Sequence, residues 1–160
     1  MIKTNLWTQS KAVIQHFVTQ GHLFVLTEPH FSYHTPKVFN DEDFIERIEL
    51  TQGNWALNIN AYLEDPQLEY FKEKLELYLS YQPKAVYFSD FAVYEYLNEF
   101  QYKGDKVYAP ETILTNHEDL AFYLEYVDRC VIAKELTLDE MVDLSQHFPK
   151  LKNSNFFGKC

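Results

Sequence analysis

The chain has 160 residues, enough for one domain of ordinary size, and is 46% hydrophobic and 24% charged, a balance that supports a packed core. Its 13 Phe, 12 Tyr and 2 Trp argue against disorder. With 24 Asp and Glu against 14 Lys and Arg, the net charge is −10, which argues against direct nucleic-acid contact or an anionic-membrane surface and leaves room only for a local basic patch.

No apolar run approaches the ~18 residues of a membrane span, and Met1 to Leu6 carries no apolar stretch that reads as a secretory signal. Cys130 and Cys160 make neither a disulfide framework nor a zinc set. The expectation is a reduced, cytoplasmic protein.

In chain order, Ile14, Phe17 and Val18 share the face of a first helix, and an apolar strand follows at 23–27. A second helix takes Asn40 or Asp41 as its N-cap and buries Phe44, Ile45 and Ile48 ahead of a strand at 55–60. The third, 66–79, opens at Pro66 and repeats Leu68, Phe71, Leu75 and Tyr78 or Leu79, with a strand at 85–89. The fourth, 90–100, starts at Asp90 and shows Val93, Tyr94, Leu97 and Phe100 before a strand at 106–109. The fifth, 116–126, starts at Asn116 with Leu120, Tyr123, Leu124 and Val127 inward, and a strand at 129–133 follows. The sixth, 137–148, has Thr137 and Glu140 spaced for a capping box and a stripe of Met141, Leu144 and Phe148. Gly21, Gly53 and Gly104 each separate a helix-like segment from a strand, where a left-handed residue stops the helix without a Cβ penalty. This predicts a single β/α domain over 1–148 and a polar tail over 149–160.

Short apolar strands alternating with helices imply right-handed crossovers onto a parallel sheet. Two architectures compete, an open doubly wound sheet and a (β/α) barrel. Leu26-Thr27-Glu28-Pro29 stands where a glycine-rich phosphate loop belongs, which removes the main support for a nucleotide-binding doubly wound fold. A full barrel takes ~250 residues, so this chain holds only part of one.

Two segments carry a resemblance. Tyr108-Ala109-Pro110-Glu111-Thr112-Ile113-Leu114-Thr115-Asn116-His117 resembles the strand-to-helix passage of the collagenase-like peptidase family, peptidase family U32, where members carry "ETLLTN". Val131-Ile132-Ala133-Lys134-Glu135-Leu136-Thr137-Leu138-Asp139-Glu140 resembles its "LARELTLEE" strand and helix start. Leu57 to Ala61, Val86 to Asp90, Phe31 to His34 and Phe39 to Phe44 fall at matching distances. The resemblance covers about residues 20–145 and implies a partial TIM-like barrel of five to six strands. It also implies proteolysis or, as in some relatives, a part in tRNA uridine hydroxylation, with an iron–sulfur cluster in certain branches. Lys134 and His34 replace arginines of the family pattern, so a shortened or inactive form is among the expectations.

In parallel β/α folds chemistry collects at the C-terminal ends of the strands. Those ends carry Thr27, Glu28, Asn58, Asn60, Asp90, Glu111, Thr112, Lys134 and Glu135. As a family-type site, Asp90, Glu111, Lys134 and Glu135 are the catalytic candidates, and Asn58, Asn60, Thr112 and Asn116 the ligand-binding ones, for a peptide or small polar ligand. The plain alternative makes Asp90 and Asn116 N-caps and Glu135 an ion-pair partner in a loop. No HExxH helix or GxSxG elbow is present, and the sequence names no cofactor. Cys130 reads as inert strand packing, His30 and His34 as loop residues bracketed by prolines, and His117 as a surface residue. The aromatic run from Phe88 to Tyr108 lacks interleaved basic residues and reads as helix packing. The competing non-enzymatic reading is a binding module, a homo-oligomer or the partner of a longer subunit, joined through open barrel edges.

Overall fold

The computed structural model describes residues 5–33 and 40–148. His34, Pro36, Phe39 and the tail from Pro149 to Cys160 lie outside the described residues. Six strands, β1 (Asn5–Trp7), β2 (Leu23–Thr27), β3 (Trp55–Ile59), β4 (Ala85–Phe88), β5 (Asp105–Tyr108) and β6 (Arg129–Cys130), alternate with six helices. The helices are α1 (Lys11–Phe17), α2 (Asp41–Leu50), α3 (Leu68–Ser80), α4 (Phe91–Glu99), α5 (His117–Tyr123) and α6 (Leu138–His147). All five strand pairings are parallel, and the spatial order is the sequence order, β1-β2-β3-β4-β5-β6.

That order decides between the two expected architectures. A doubly wound sheet reverses its winding at a switch point, and this sheet does not. Winding in one direction keeps the helices on one face, and the sheet curls into a half-barrel. Alternation along each strand sorts the side chains. Phe24, Leu26, Trp55, Leu57, Ile59, Val86, Phe88 and Tyr108 point outward into one core with Ile14, Phe44, Phe71, Leu75, Leu97 and Leu120 of the helices. Val25, Ala56, Ala85, Tyr87 and Val107 form a second cluster on the inner face. Burying one large outward side chain contributes about 1.5–3 kcal/mol, so the helix-side core carries most of the stability.

Most helix starts follow the sequence reading. Asn40, Asp90, Asn116 and Thr137 each accept a backbone N–H as N-cap, and Thr137 with Glu140 closes the capping box. Pro66 sits in a 3₁₀ turn (Asp65–Gln67) that leads into α3. Four features differ from expectation. β1 was not anticipated, being three residues long. β6 ends at Cys130, because beyond it the Ala133 N–H donates to Leu114 O at 3.0 Å and the chain leaves the ladder. α5 ends at Tyr123, although Val127 is buried as expected. The left-handed residues that close α2, α3 and α4 are glutamines, Gln52, Gln82 and Gln101, with Gly53 following the first and Gly21 closing the first helical segment.

Gly104 is therefore needed for space and not for a left-handed turn. A Cβ there would lie 2.9 Å from the Lys84 carbonyl oxygen and 2.1 Å from the Tyr102 hydroxyl, which itself donates to Pro83 O at 2.7 Å. The tyrosine cannot swing away without abandoning that bond. Gly104→Ala is expected to cost about 1–3 kcal/mol, read from urea midpoints at an unchanged m-value.

Candidate functional site

The inner face is polar at both ends: Asn5, Asp105 and Arg129 lie at the start of the strands, with Arg129 Nη2 donating to Asp105 Oδ2 at 2.6 Å, and Thr27, Asn58 and Ser89 lie at the C-terminal rim. Register places Thr27 beside Asn58, and the Asn58 amide Nδ2 donates to Thr27 Oγ1 at 3.1 Å. Ser89 follows β4 and donates its hydroxyl to Ala109 O at 2.8 Å. Gln9 donates Nε2–H to Thr27 O at 3.0 Å. Register places Tyr87 beside Asn58 on the same inner face. Tyr87 receives the Asn5 amide on its hydroxyl at 3.0 Å and the edge of Trp7 at a centroid distance of 5.2 Å. Burial pushes the Tyr87 phenol up, so it stays neutral. Thr27, Asn58 and Ser89 thus form a hydrogen-bonded ring of fixed orientation under the rim loops, with Asn58 and Ser89 buried.

Glu28, one residue beyond β2, turns to the helix side and is fully buried. Its Oε2 accepts the His30 N–H at 2.6 Å and the Phe31 N–H, and its Oε1 accepts the Tyr78 hydroxyl of α3 at 3.0 Å. Burial raises its pKa, and these hydrogen bonds oppose the shift. The carboxyl thus pins the loop after β2 to α3. Phe31 in turn receives the Ala61 N–H on its carbonyl, at 3.1 Å, which ties that loop to the one after β3.

Most of the other expected residues have structural occupations. Asn60 Oδ1 accepts the Tyr33 N–H at 2.8 Å. Both carboxylate oxygens of Asp90 are engaged, Oδ1 by the Ala92 N–H and Oδ2 by the Leu63 N–H, each at 2.8 Å. Asn116 caps α5 through the Asp119 N–H at 2.9 Å. Thr112 lies on the exposed loop after β5, and its N–H donates to Pro110 O at 2.9 Å. Glu111, Lys134 and Glu135 are exposed on the loops that follow the paired strands β5 and β6. Among the described residues no hydrogen bond or ion pair joins Asp90, Glu111, Lys134 and Glu135 to one another.

Glu111 differs from the rest in its backbone. Its φ is +68°. Among the described residues the other non-glycine positions at positive φ are the three glutamines that end helices, where a left-handed residue is the ordinary stop. Glu111 ends no helix. A side chain held in that region costs of order 1 kcal/mol, and such positions gather at functional sites.

Sequence reasoning missed several partners. Tyr78 lies fifty positions from Glu28, and only its place on the buried stripe of α3 was visible. His30 approaches Asp41 at 3.0 Å, and Lys74 also reaches Asp41, which makes His30 part of a loop-to-helix tie. Cys130 is buried in β6, as expected. Phe88 and Tyr108 pack in the core as read, whereas Phe122 and Tyr126 are exposed and share a groove of about 580 Å³ with Tyr94 and Glu95 on the helical exterior. No helix among the described residues is long and apolar enough to cross a membrane.

A family model described as Peptidase family U32 matches residues 8–157. No curated protein matches the chain.

Two substitutions test the rim's construction. Glu28→Ala orphans three donors and is expected to lower stability by about 2–4 kcal/mol, whereas Glu28→Gln keeps most of the hydrogen bonding. Because the folded state holds the Glu28 proton more tightly than the unfolded chain does, this group erodes stability as pH rises from the ordinary carboxylate range through its raised folded pKa. Urea titrations over that range should show a decline in the wild type that Glu28→Gln lacks. Asp90→Ala should cost about 1–2 kcal/mol through the lost cap and the unpaired Leu63 N–H, read by the same titration.

Proposed function

The chain belongs to peptidase family U32, and from that premise we propose that it binds peptide at the C-terminal rim of its half-barrel and hydrolyses it, as the family's name implies. The observation that carries this reading is the left-handed Glu111, a strained acidic residue on the rim that no helix end explains. With Asp90 committed to two backbone N–H groups, the acid–base work falls to Glu111 and Glu135. A carboxylate takes a proton from water, the water oxygen attacks the peptide carbonyl, and the amine leaves with a proton returned to it. Lys134 supplies the positive charge that the developing oxyanion needs. Thr27, Asn58 and Ser89 orient the peptide backbone. Two cysteines and the net charge of −10 support a cytoplasmic setting, and that charge favours hydrolysis over a part in tRNA uridine hydroxylation.

The second reading is a partner subunit. Among the described residues β1 and β6 each pair with one strand only, and an unpaired edge is a template for another chain. A second copy or a longer subunit would then complete the barrel, with the rim as a binding cleft.

Peptide and gelatin cleavage by the monodisperse protein tests the first reading. Glu111→Gln and Glu135→Gln are each expected to lower turnover at least tenfold. Glu111→Gly should do the same while raising the melting temperature, since glycine removes the backbone strain. Absence of cleavage by the folded wild type overturns hydrolysis. A strict monomer in light scattering, with no partner in pull-downs, overturns the subunit reading.

A further inference from the structure

Outside the rim, among the described residues, one group of ligating side chains comes together from distant sequence positions. His117 is the first residue of α5, and Asp143 and His147 lie one turn apart on α6. The His117 Nε2 stands 2.8 Å from Asp143 Oδ2, and the His147 Nδ1 stands 2.9 Å from the Asp143 backbone carbonyl oxygen and 3.8 Å from Asp143 Oδ1. The two imidazoles meet edge to face, with centroids 4.5 Å apart and planes at 89°. One ligand atom from each of the three residues lies within 4.8 Å of the others. Barrel helices that run side by side would not place the last turn of α6 on the first turn of α5. Here α6 does so, with Phe148 also against His117, which carries its C-terminal end to the rim side of the molecule.

We propose that His117, Asp143 and His147 bind a divalent transition-metal ion, with zinc the natural occupant, and that the ion fastens α6 to the start of α5. Two nitrogens and one carboxylate oxygen suit Zn²⁺, Ni²⁺ or Co²⁺. The set lacks the oxygen ligands that Mg²⁺ and Ca²⁺ require and the thiolates that favour Cu(I) or iron–sulfur clusters. Zinc bonds of about 2.0–2.2 Å need the ligand atoms only a little over 3 Å apart, so His117 and Asp143 open slightly while the His147 ring gives up the Asp143 carbonyl and closes in. The capping box of α6 holds the Asp143–His147 face in register before the ion arrives. The positive end of α5 at His117 opposes a cation, and the negative end of α6 together with Glu118 and Asp119 in the first turn of α5 offsets it. Three protein ligands leave a coordination position for water, so the ion is exchangeable and held in the micromolar range, more weakly than in closed four-ligand sites. His30 and Asp41 also touch, but Lys74 already occupies the same carboxylate, so that pair does not compete. This site stands apart from the hydrolysis reading and does not depend on it.

The test is calorimetric titration of ZnCl₂ into the whole chain carrying Cys160→Ser, so that the terminal thiol supplies no ligand. One equivalent should bind, and the melting temperature should rise with zinc. His117→Ala, Asp143→Asn and His147→Ala should each weaken binding at least tenfold and abolish the thermal shift, with circular dichroism confirming the fold. His22→Ala serves as the surface-histidine control and should bind as the parent does. Co²⁺ should report the same three ligands through its visible spectrum. No binding at millimolar zinc, or binding unchanged in the His117→Ala and Asp143→Asn chains, overturns the proposal and leaves an ordinary helix-to-helix tie.

Discussion

Winding in a single direction is the constraint from which the rest of this molecule follows. Each strand pairs with its sequence neighbours, every pairing is parallel, and each crossover returns over the same face. The outward side chains therefore share one layer of helices, and the inward ones have only each other. That asymmetry explains the residue choice. Phe24, Trp55, Leu57 and Phe88 fill the wide helical side, whereas Val25, Ala56, Ala85 and Val107 line the narrow inner side. Tyr87 and Trp7 are the bulky residues that occupy the lumen itself.

The same winding collects the loops at one end, and how those loops are held sets what the rim can do. Glu28 is the central fastening. A buried carboxyl accepting three donors is costly to desolvate and costlier to remove, and it ties the loop after β2 to α3. Asp90 ties the loop after β3 to the start of α4 in a similar way. Rigidity at these two points leaves Glu111, Lys134 and Glu135 on less encumbered loops, where a polar ligand has access.

Much of the fold was legible because it rests on local signals. Apolar runs, capping residues and the breaks between segments marked five strands and six helices, and Asn40, Asp90, Asn116 and Thr137 cap as their spacing implied. β1 escaped because Asn5–Trp7 is too short to show alternation. Gly104 was misread because a glycine kept for close approach looks the same in sequence as one kept for a left-handed turn. The choice between doubly wound sheet and barrel depends on strand order, which no single segment encodes, and it was the resemblance that favoured the barrel. The site was legible in outline only. Strand-end positions could be named, but whether a carboxylate is spent on backbone donors, as Asp90 is, depends on Leu63 in another loop. Tyr78 beside Glu28 and Asp143 beside His117 are likewise unions of distant segments.

Strand order also bears on how the chain is made. Because each strand's first partner precedes it in sequence, a nascent chain leaving the ribosome can dock every new strand and helix onto a surface already assembled. The bond from Asn5 to Tyr87, spanning 82 positions, is the exception. It can form only once β4 has emerged, and it then ties β1 to β4 across the inner face. Strand-by-strand docking, followed by a late latch on β1, keeps unpaired sheet edges briefly exposed during synthesis.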